Sequence, residues 1–145
     1  MALMRKHTTH HDDTSITPLL LDTAELIAKR LDADLKQFYG VGLSQYRVMR
    51  EVEASPGISQ KEIALSLSQS EASISRQIEL LQYDGVLIVR RKASDRRERQ
   101  ITLTSSGAHT LQELEVHIQS FTDHLINPQT QAHLHEALSH LNSCL

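Results

Sequence analysis

Aromatic residues are scarce in this 145-residue chain: two Phe, three Tyr and no Trp. Its interior therefore has to be built from Leu, Ile, Val and Ala, a composition that suits helices. A single cysteine, Cys144, excludes an internal disulfide and fits a reducing cytoplasm. No basic residue neighbours it to activate the thiol, so a redox switch is not expected there. No run of about 18 apolar residues exists, which excludes a membrane-spanning helix. The opening Met1–Lys6 lacks the apolar segment and small-residue cleavage site of a signal peptide, so the expected location is cytoplasmic. Gly-rich phosphate loops, nucleophile elbows, Cys-x-x-Cys pairs and zinc-finger spacings are all missing. Neither an enzyme nor a resident cofactor is expected. The length allows one domain, or a protomer that completes its core by dimerising.

What is present concentrates between Ser59 and Thr104. Ser59 with Glu62 three residues on is a capping box at the start of a short helix. Ser70 is the best cap for a second helix, with Ala72 or Ser73 donating to its hydroxyl. In that second helix Ile74, Ile78 and Leu81 share one face, and Ala72, Ser73 and Arg76 fall away from it. Two β-branched runs, Val86–Val89 and Gln100–Thr104, then flank Arg90–Arg99, the pattern of a hairpin with a long tip. Between Arg90 and Arg99 six cations stand against two acids, a net of +4; the whole chain is −3, so the remainder carries −7. A helix-turn-helix followed by a basic hairpin is the arrangement of a winged-helix DNA reader, with the helix in the major groove and the hairpin on the backbone or minor groove.

These residues resemble the MarR (multiple antibiotic resistance regulator) family. Leu67–Arg76, Asp84-Gly85-Val86-Leu87, and above all Asp95-Arg96-Arg97 followed by Leu103-Thr104-Ser105-Ser106-Gly107 carry the resemblance, which runs from about Leu43 to Gly107. The turn departs from the family pattern, with Ser68 and Gln69 where a glycine and an apolar residue are more usual. The resemblance implies a mainly α fold: a winged helix-turn-helix with a small hairpin wing, plus N- and C-terminal dimerisation helices. It also implies that Asp95 pairs with Arg97 to stiffen the wing tip, while Arg96 or Arg97 enters the minor groove. In the family, small aromatic acids or similar effectors bind between the dimer helices and the reading lobe. The matching positions here are Tyr39, Tyr46, Arg47 and His109.

The flanks fit this organisation. Residues 1–14 are polar and aperiodic and read as a flexible arm. Residues 15–145 form one domain, with dimerisation helices at 17–39 and 107–145 around a DNA-binding lobe at 43–104. Thr17-Pro18 is expected to open the first helix and Gly40 to stop it. Leu20, Ala24, Ile27, Leu31, Leu35 and Phe38 form its main stripe, and Leu19, Leu21, Leu26 and Ala28 widen the apolar surface, so the helix needs more than one partner. Ser44 is expected to cap a second helix that turns Val48, Met49 and Val52 inward. Leu111, Leu114, Ile118, Phe121 and Leu125 make the seam of a long helix, and Asn127-Pro128 opens the last one, lined by Leu134, Ala137, Leu138, Leu141 and Leu145.

The candidate DNA contacts are Ser70, Ala72, Ser73, Arg76 and Gln77 on the recognition helix, with Arg76 suited to guanine or phosphate and Gln77 to adenine. On the wing they are Arg90, Arg91, Lys92, Asp95, Arg96, Arg97 and Arg99. The expected molecule is a homodimeric regulator on duplex DNA, most often a repressor, with a small-molecule effector as a further partner and no membrane. Two alternatives stay open. His109, His117, His124, His133, His135 and His140 crowd the last two helices, which would suit a zinc- or copper-responsive regulator. No His-x-x-x-His pair occurs among these six, however, and partners seven apart are about 10 Å apart along a helix, too far for one ion. No metal ligands are therefore assigned. The other alternative is a winged-helix protein-interaction module that does not bind DNA.

Overall fold

The computed structural model describes residues 15–91 and 99–145. Among them the order is α1 (Ile16–Tyr39), α2 (Leu43–Ala54), α3 (Gln60–Ser66), α4 (Glu71–Tyr83), β1 (Leu87–Arg91), β2 (Arg99–Leu103), α5 (Ser105–Leu125) and α6 (Pro128–Cys144). The arm expected at residues 1–14 and the tip at residues 92–98 lie outside the described residues.

Two helix starts differ from expectation. Helix α1 begins at Ile16 with Ser15 in the cap position, ahead of Thr17-Pro18. Pro18 falls within the first turn, where its missing amide would have had no intrahelical acceptor anyway. Helix α2 begins at Leu43 after Gly42, ahead of Ser44, and the Gly42 amide donates to Gln45 Oε1 at 2.9 Å. A side-chain carbonyl reaching back from the third helical position thus satisfies the cap residue's own amide, the half of a capping box that needs no capping side chain.

The other boundaries follow the sequence pattern. Glu62 N donates to Ser59 Oγ at 3.3 Å, and Ser59 N donates to Glu62 Oε2 at 2.8 Å, closing the capping box of α3. Ser70 Oγ caps α4 by accepting from Ser73 N, and Asn127 Oδ1 caps α6 by accepting from Thr130 N, with Pro128 at the first position. After α4 the chain reverses through Gly85 at φ 72° into β1. The hairpin is antiparallel, in the register Leu87↔Leu103, Val89↔Ile101 and Arg91↔Arg99. Ile58 adds an isolated bridge to Ile101, so the segment before α3 is tied to the sheet.

Helix α2 occupies the middle, packed on α1, α4, α5 and β2. Val48, Met49 and Val52 of α2 bury completely, in one cluster with Leu35, Ile63, Ile74, Leu81, Ile101, Leu111 and Leu114. The inward faces expected for α2 and α4 are therefore the buried ones.

The outer helices behave differently. In α1 only Leu31 and Leu35 are buried; Leu19, Leu21, Leu26, Ile27 and Phe38 remain exposed. The α5 seam buries Leu111 and Leu114, half-buries Ile118 and Phe121, and leaves Leu125 in solvent. In helix α6 no residue is buried.

Candidate nucleic-acid interface

The helix pair of the reading unit is held by its own caps and by the turn between them. Ser68, in that turn, sits at φ 51°, in the left-handed region where glycine is the undemanding residue. Its amide donates to Leu65 O at 3.2 Å and the Gln69 amide to Ala64 O at 2.9 Å, so the turn closes despite the strained backbone. The turn geometry is the one a glycine would have given, held by a serine. Gln69 adds a contact that sequence reading missed: its Oε1 accepts from Ser73 Oγ at 3.2 Å. Gln60 Nε2 donates to Glu71 O at 3.1 Å, a second tie between the two helices.

On α4, Ile74, Ile78 and Leu81 face the core, while Ala72 and Arg76 are exposed and Ser73 and Gln77 half-buried. The five recognition-helix candidates thus lie on or beside the outward face, in two groups. Ser70 and Ser73 already serve the fold, through the cap and the Gln69 contact. Ala72, Arg76 and Gln77 have no such duty in the described contacts.

The hairpin grows from the end of α4 without slack. Val86 N donates to Leu81 O at 2.8 Å. Thr104, at the end of β2, donates from Oγ1 to Gly85 O at 2.8 Å and accepts from Gly107 N at the same distance. Thr104 N also donates to Val86 O at 3.0 Å. One threonine therefore pins the α4–β1 turn, the end of the sheet and the start of α5 together. Gly107 makes this possible: a Cβ there would lie 2.1 Å from Val86 O. The Leu-Thr-x-x-Gly run that marks the resemblance is this junction.

Along the sheet, side chains alternate faces. The face that buries Leu87 and Ile101 ends at Arg91 and Arg99, which are exposed and directly opposite each other. Arg90, on the other face, is exposed opposite Gln100. The tip candidates Lys92, Asp95, Arg96 and Arg97, and the Asp95–Arg97 pairing, lie outside the described residues.

The four candidate effector positions are not gathered into one place. Tyr39 and His109 line a cavity of about 280 Å³ with Gln112, Glu113 and Val116. Tyr46 and Arg47 are not among its lining residues. Tyr46 is buried in the core cluster, with the Arg50 guanidinium 6.0 Å from its ring centroid, and Arg47 is exposed. Burial pushes the Tyr46 phenol above its ordinary range, although Arg50 opposes this. A larger cavity, about 560 Å³, opens between α1 and α5 and is lined by Arg30, Asp34, His117, Ser120, Phe121, His124 and Leu125.

The histidines are dispersed. The His117 ring lies 5.5 Å from Phe38 and 5.4 Å from Tyr39; His124 Nδ1 is 2.6 Å from Ser120 O, and His109 Nε2 is 3.7 Å from Glu113 Oε1. Among the described residues no group of three His, Cys, Asp or Glu side chains is placed to hold a metal ion. Nor is any helix among them long and apolar enough to cross a membrane.

A capped helix-turn-helix joined rigidly to an antiparallel hairpin, with long helices on either side, defines a winged-helix protein. Comparison with known proteins narrows this further. The MarR family profile matches residues 39–98, which span α2 to the wing. YwoH of Bacillus subtilis (strain 168), an uncharacterized HTH-type transcriptional regulator, is 28% identical over 141 residues, covering 97% of this chain and 95% of YwoH. The transcriptional regulator BldR from Sulfolobus solfataricus superposes with a TM-score of 0.77 at 15% identity, over 90% of this chain and 94% of BldR. The transcriptional repressor CouR, solved bound to a 23-mer DNA duplex, gives 0.72 at 22% identity, over 87% and 92%. At these identities the structural likeness speaks for the fold. Profile and fold point the same way: residues 39–98 match the MarR family, and the chain has the fold of these solved transcriptional regulators.

Proposed function

We propose that the protein is a cytoplasmic, homodimeric repressor that reads a pseudo-palindromic duplex. The observation that carries this is the pair Arg91 and Arg99 facing each other across the hairpin, beyond the last apolar pair of that face. Like charges directly opposite in a sheet are destabilising. Holding two guanidiniums there makes sense when phosphates arrive to neutralise them. The pair stands at the mouth of a loop rich in Arg, within one rigid unit with α4 and its exposed Arg76. Arg76 then takes guanine or phosphate in the major groove, Ala72 meets a thymine methyl, and the wing contributes affinity and preference for groove shape. CouR on its duplex shows what this fold does in that protein.

The dimer reading is supported by the apolar residues left exposed on α1, α5 and α6. Large apolar surface of this kind marks an association site, and a second copy of the same helices is the occupant implied by the family. Two recognition helices related by a two-fold axis then enter successive major grooves, about 10 bp apart. Relief by a small molecule is proposed through the cavities beside α5, one holding Tyr39 and His109 and the other Arg30 and His117. An effector acts there by binding one lobe spacing better than the other.

Selection of a duplex from a random-sequence library, followed by affinity measurements across a salt series, tests the reading. Binding should weaken steeply with salt, because each displaced counterion enters the slope. An Arg76→Ala change should cost about 1–3 kcal/mol and relax preference at one position. An Arg96→Ala/Arg97→Ala pair should weaken binding to all sequences and reduce the slope. Folded protein that selects no duplex would leave a protein-interaction module as the better description.

A further inference from the structure

We propose that Asp32 is a positioning residue that locks the DNA-reading lobe to the first helix and so sets the separation of the two recognition helices. This rests on the homodimeric DNA reader above. The joint between α1 and α2 is short: Gly40, in the left-handed region at φ 69°, buried Val41, and Gly42. Gly42 occupies the cap position of α2 and has no side chain with which to cap it. The Leu43 amide, the first of the helix, instead donates to Asp32 Oδ1 at 2.9 Å. That carboxylate comes from eleven residues back, on another helix. Its second oxygen is held by Lys36 Nζ at 2.7 Å, one turn on along α1.

Asp32 is therefore gripped from both sides. One grip is on its own helix, and the other is the positive end of α2, where an anion is favoured. The bareness of Gly42 lets the two parts close, since a Cβ there would lie 3.0 Å from Asp32 Oδ1 and 2.9 Å from Lys36 Cε. The Lys36 hydrogen bond and then the Leu43 amide hold the Asp32 carboxyl below the ordinary carboxylate range. The contact thus keeps its charge at neutral pH.

The location turns a cap into a positioning device. Helix α1 carries much of the apolar surface assigned to the second copy. Helix α2 packs on both α4 and β2, so any rotation of α2 about this joint carries the recognition helix and the wing with it. In a dimer such a rotation changes the distance between two recognition helices, a quantity that duplex DNA measures in base-pair steps.

The test separates capping from positioning. Asp32→Ala should lower the melting temperature by about 4 °C, the typical worth of one cap. It should also weaken binding to the selected duplex about tenfold, within the range usual for coupled sites. A Gly42→Ser change added to Asp32→Ala gives α2 a cap of its own, in space that the lost carboxylate vacates. The double variant should regain the melting temperature and not the affinity. It should also bind duplexes with half-sites moved by one base pair almost as well as the original, where the wild type discriminates. Affinity and spacing preference returning together with stability would overturn the proposal and leave Asp32 as an ordinary cap. If the double variant does not regain stability, Ser59→Ala is the matched control, since it removes a cap from α3. Asp32→Ala must then flatten the spacing preference at equal loss of stability while Ser59→Ala leaves it intact, and equal behaviour of the two overturns the proposal. A wild-type protein that selects no duplex overturns the DNA reading itself.

Discussion

Replacing Gly107 with alanine should unfasten the wing from the recognition helix. The new Cβ would stand 2.1 Å from Val86 O and 3.0 Å from Val86 C, so the start of α5 must withdraw by roughly 1 Å to reach ordinary contact. Thr104 N and Oγ1 hold Val86 O and Gly85 O at 3.0 and 2.8 Å, and a withdrawal of that size breaks or bends both bonds. Overpacking of this kind costs about 1–3 kcal/mol and each hydrogen bond about 1, against a helix-propensity gain of about 1 for alanine over glycine. The net expectation is a loss of about 3 kcal/mol, or roughly 10 °C in melting temperature for a chain of this size. Urea unfolding followed by circular dichroism reads it, with protein concentration held fixed because assembly and folding are linked. Ala108→Gly, one residue along and exposed, is the control and should cost no more than about 1 kcal/mol. A Gly107→Ala protein as stable as the wild type would refute the reasoning, because it would mean that α5 and the β1 turn are not in contact.

Ser68→Gly should stabilise the protein by about 1 kcal/mol in urea unfolding, since the left-handed backbone at φ 51° penalises a side chain; no gain would mean that the turn is not left-handed. Tyr46, whose ionisation burial displaces upward from 10.0, contributes stability that is present below pH 10 and lost as pH climbs through its folded value. Tyr46→Phe should therefore flatten the alkaline limb of a stability–pH curve while leaving the acid limb unchanged. Leu138→Glu, on the exposed stripe of α6, should barely alter a monomer. In a two-fold dimer it removes two buried leucines, weakening association on the order of 100-fold by sedimentation equilibrium.

Legibility from sequence followed the range of the interaction. The capping box at Ser59 and Glu62, the Ser70 and Asn127 caps and the reversal at Asp84-Gly85 were all readable, because each is settled within about four residues. The inward faces of α2 and α4 were readable too, because one period governs them. The start of α2 was not: a Gln45 side chain and a carboxylate eleven residues upstream replace the serine cap that local rules favour. Asp32 carries no local signature, since its role depends on two helices meeting. The seams of α1, α5 and α6 were identified as apolar, yet periodicity says only that a face wants covering and not what covers it. The same limit scattered the effector positions, for Tyr46 and Arg47 are neighbours in sequence and face opposite environments in the fold.

Helix α6, in which no residue is buried, has a consequence of its own. A free helix of 17 residues in water is only marginally ordered, so whatever docks against Leu134, Leu138 and Leu141 also decides whether the segment is a helix or a loose tail. Proteases cut loose tails in preference to ordered helices. A lone copy should therefore be cut within α6 sooner than an assembled one, so that assembly itself would protect the chain.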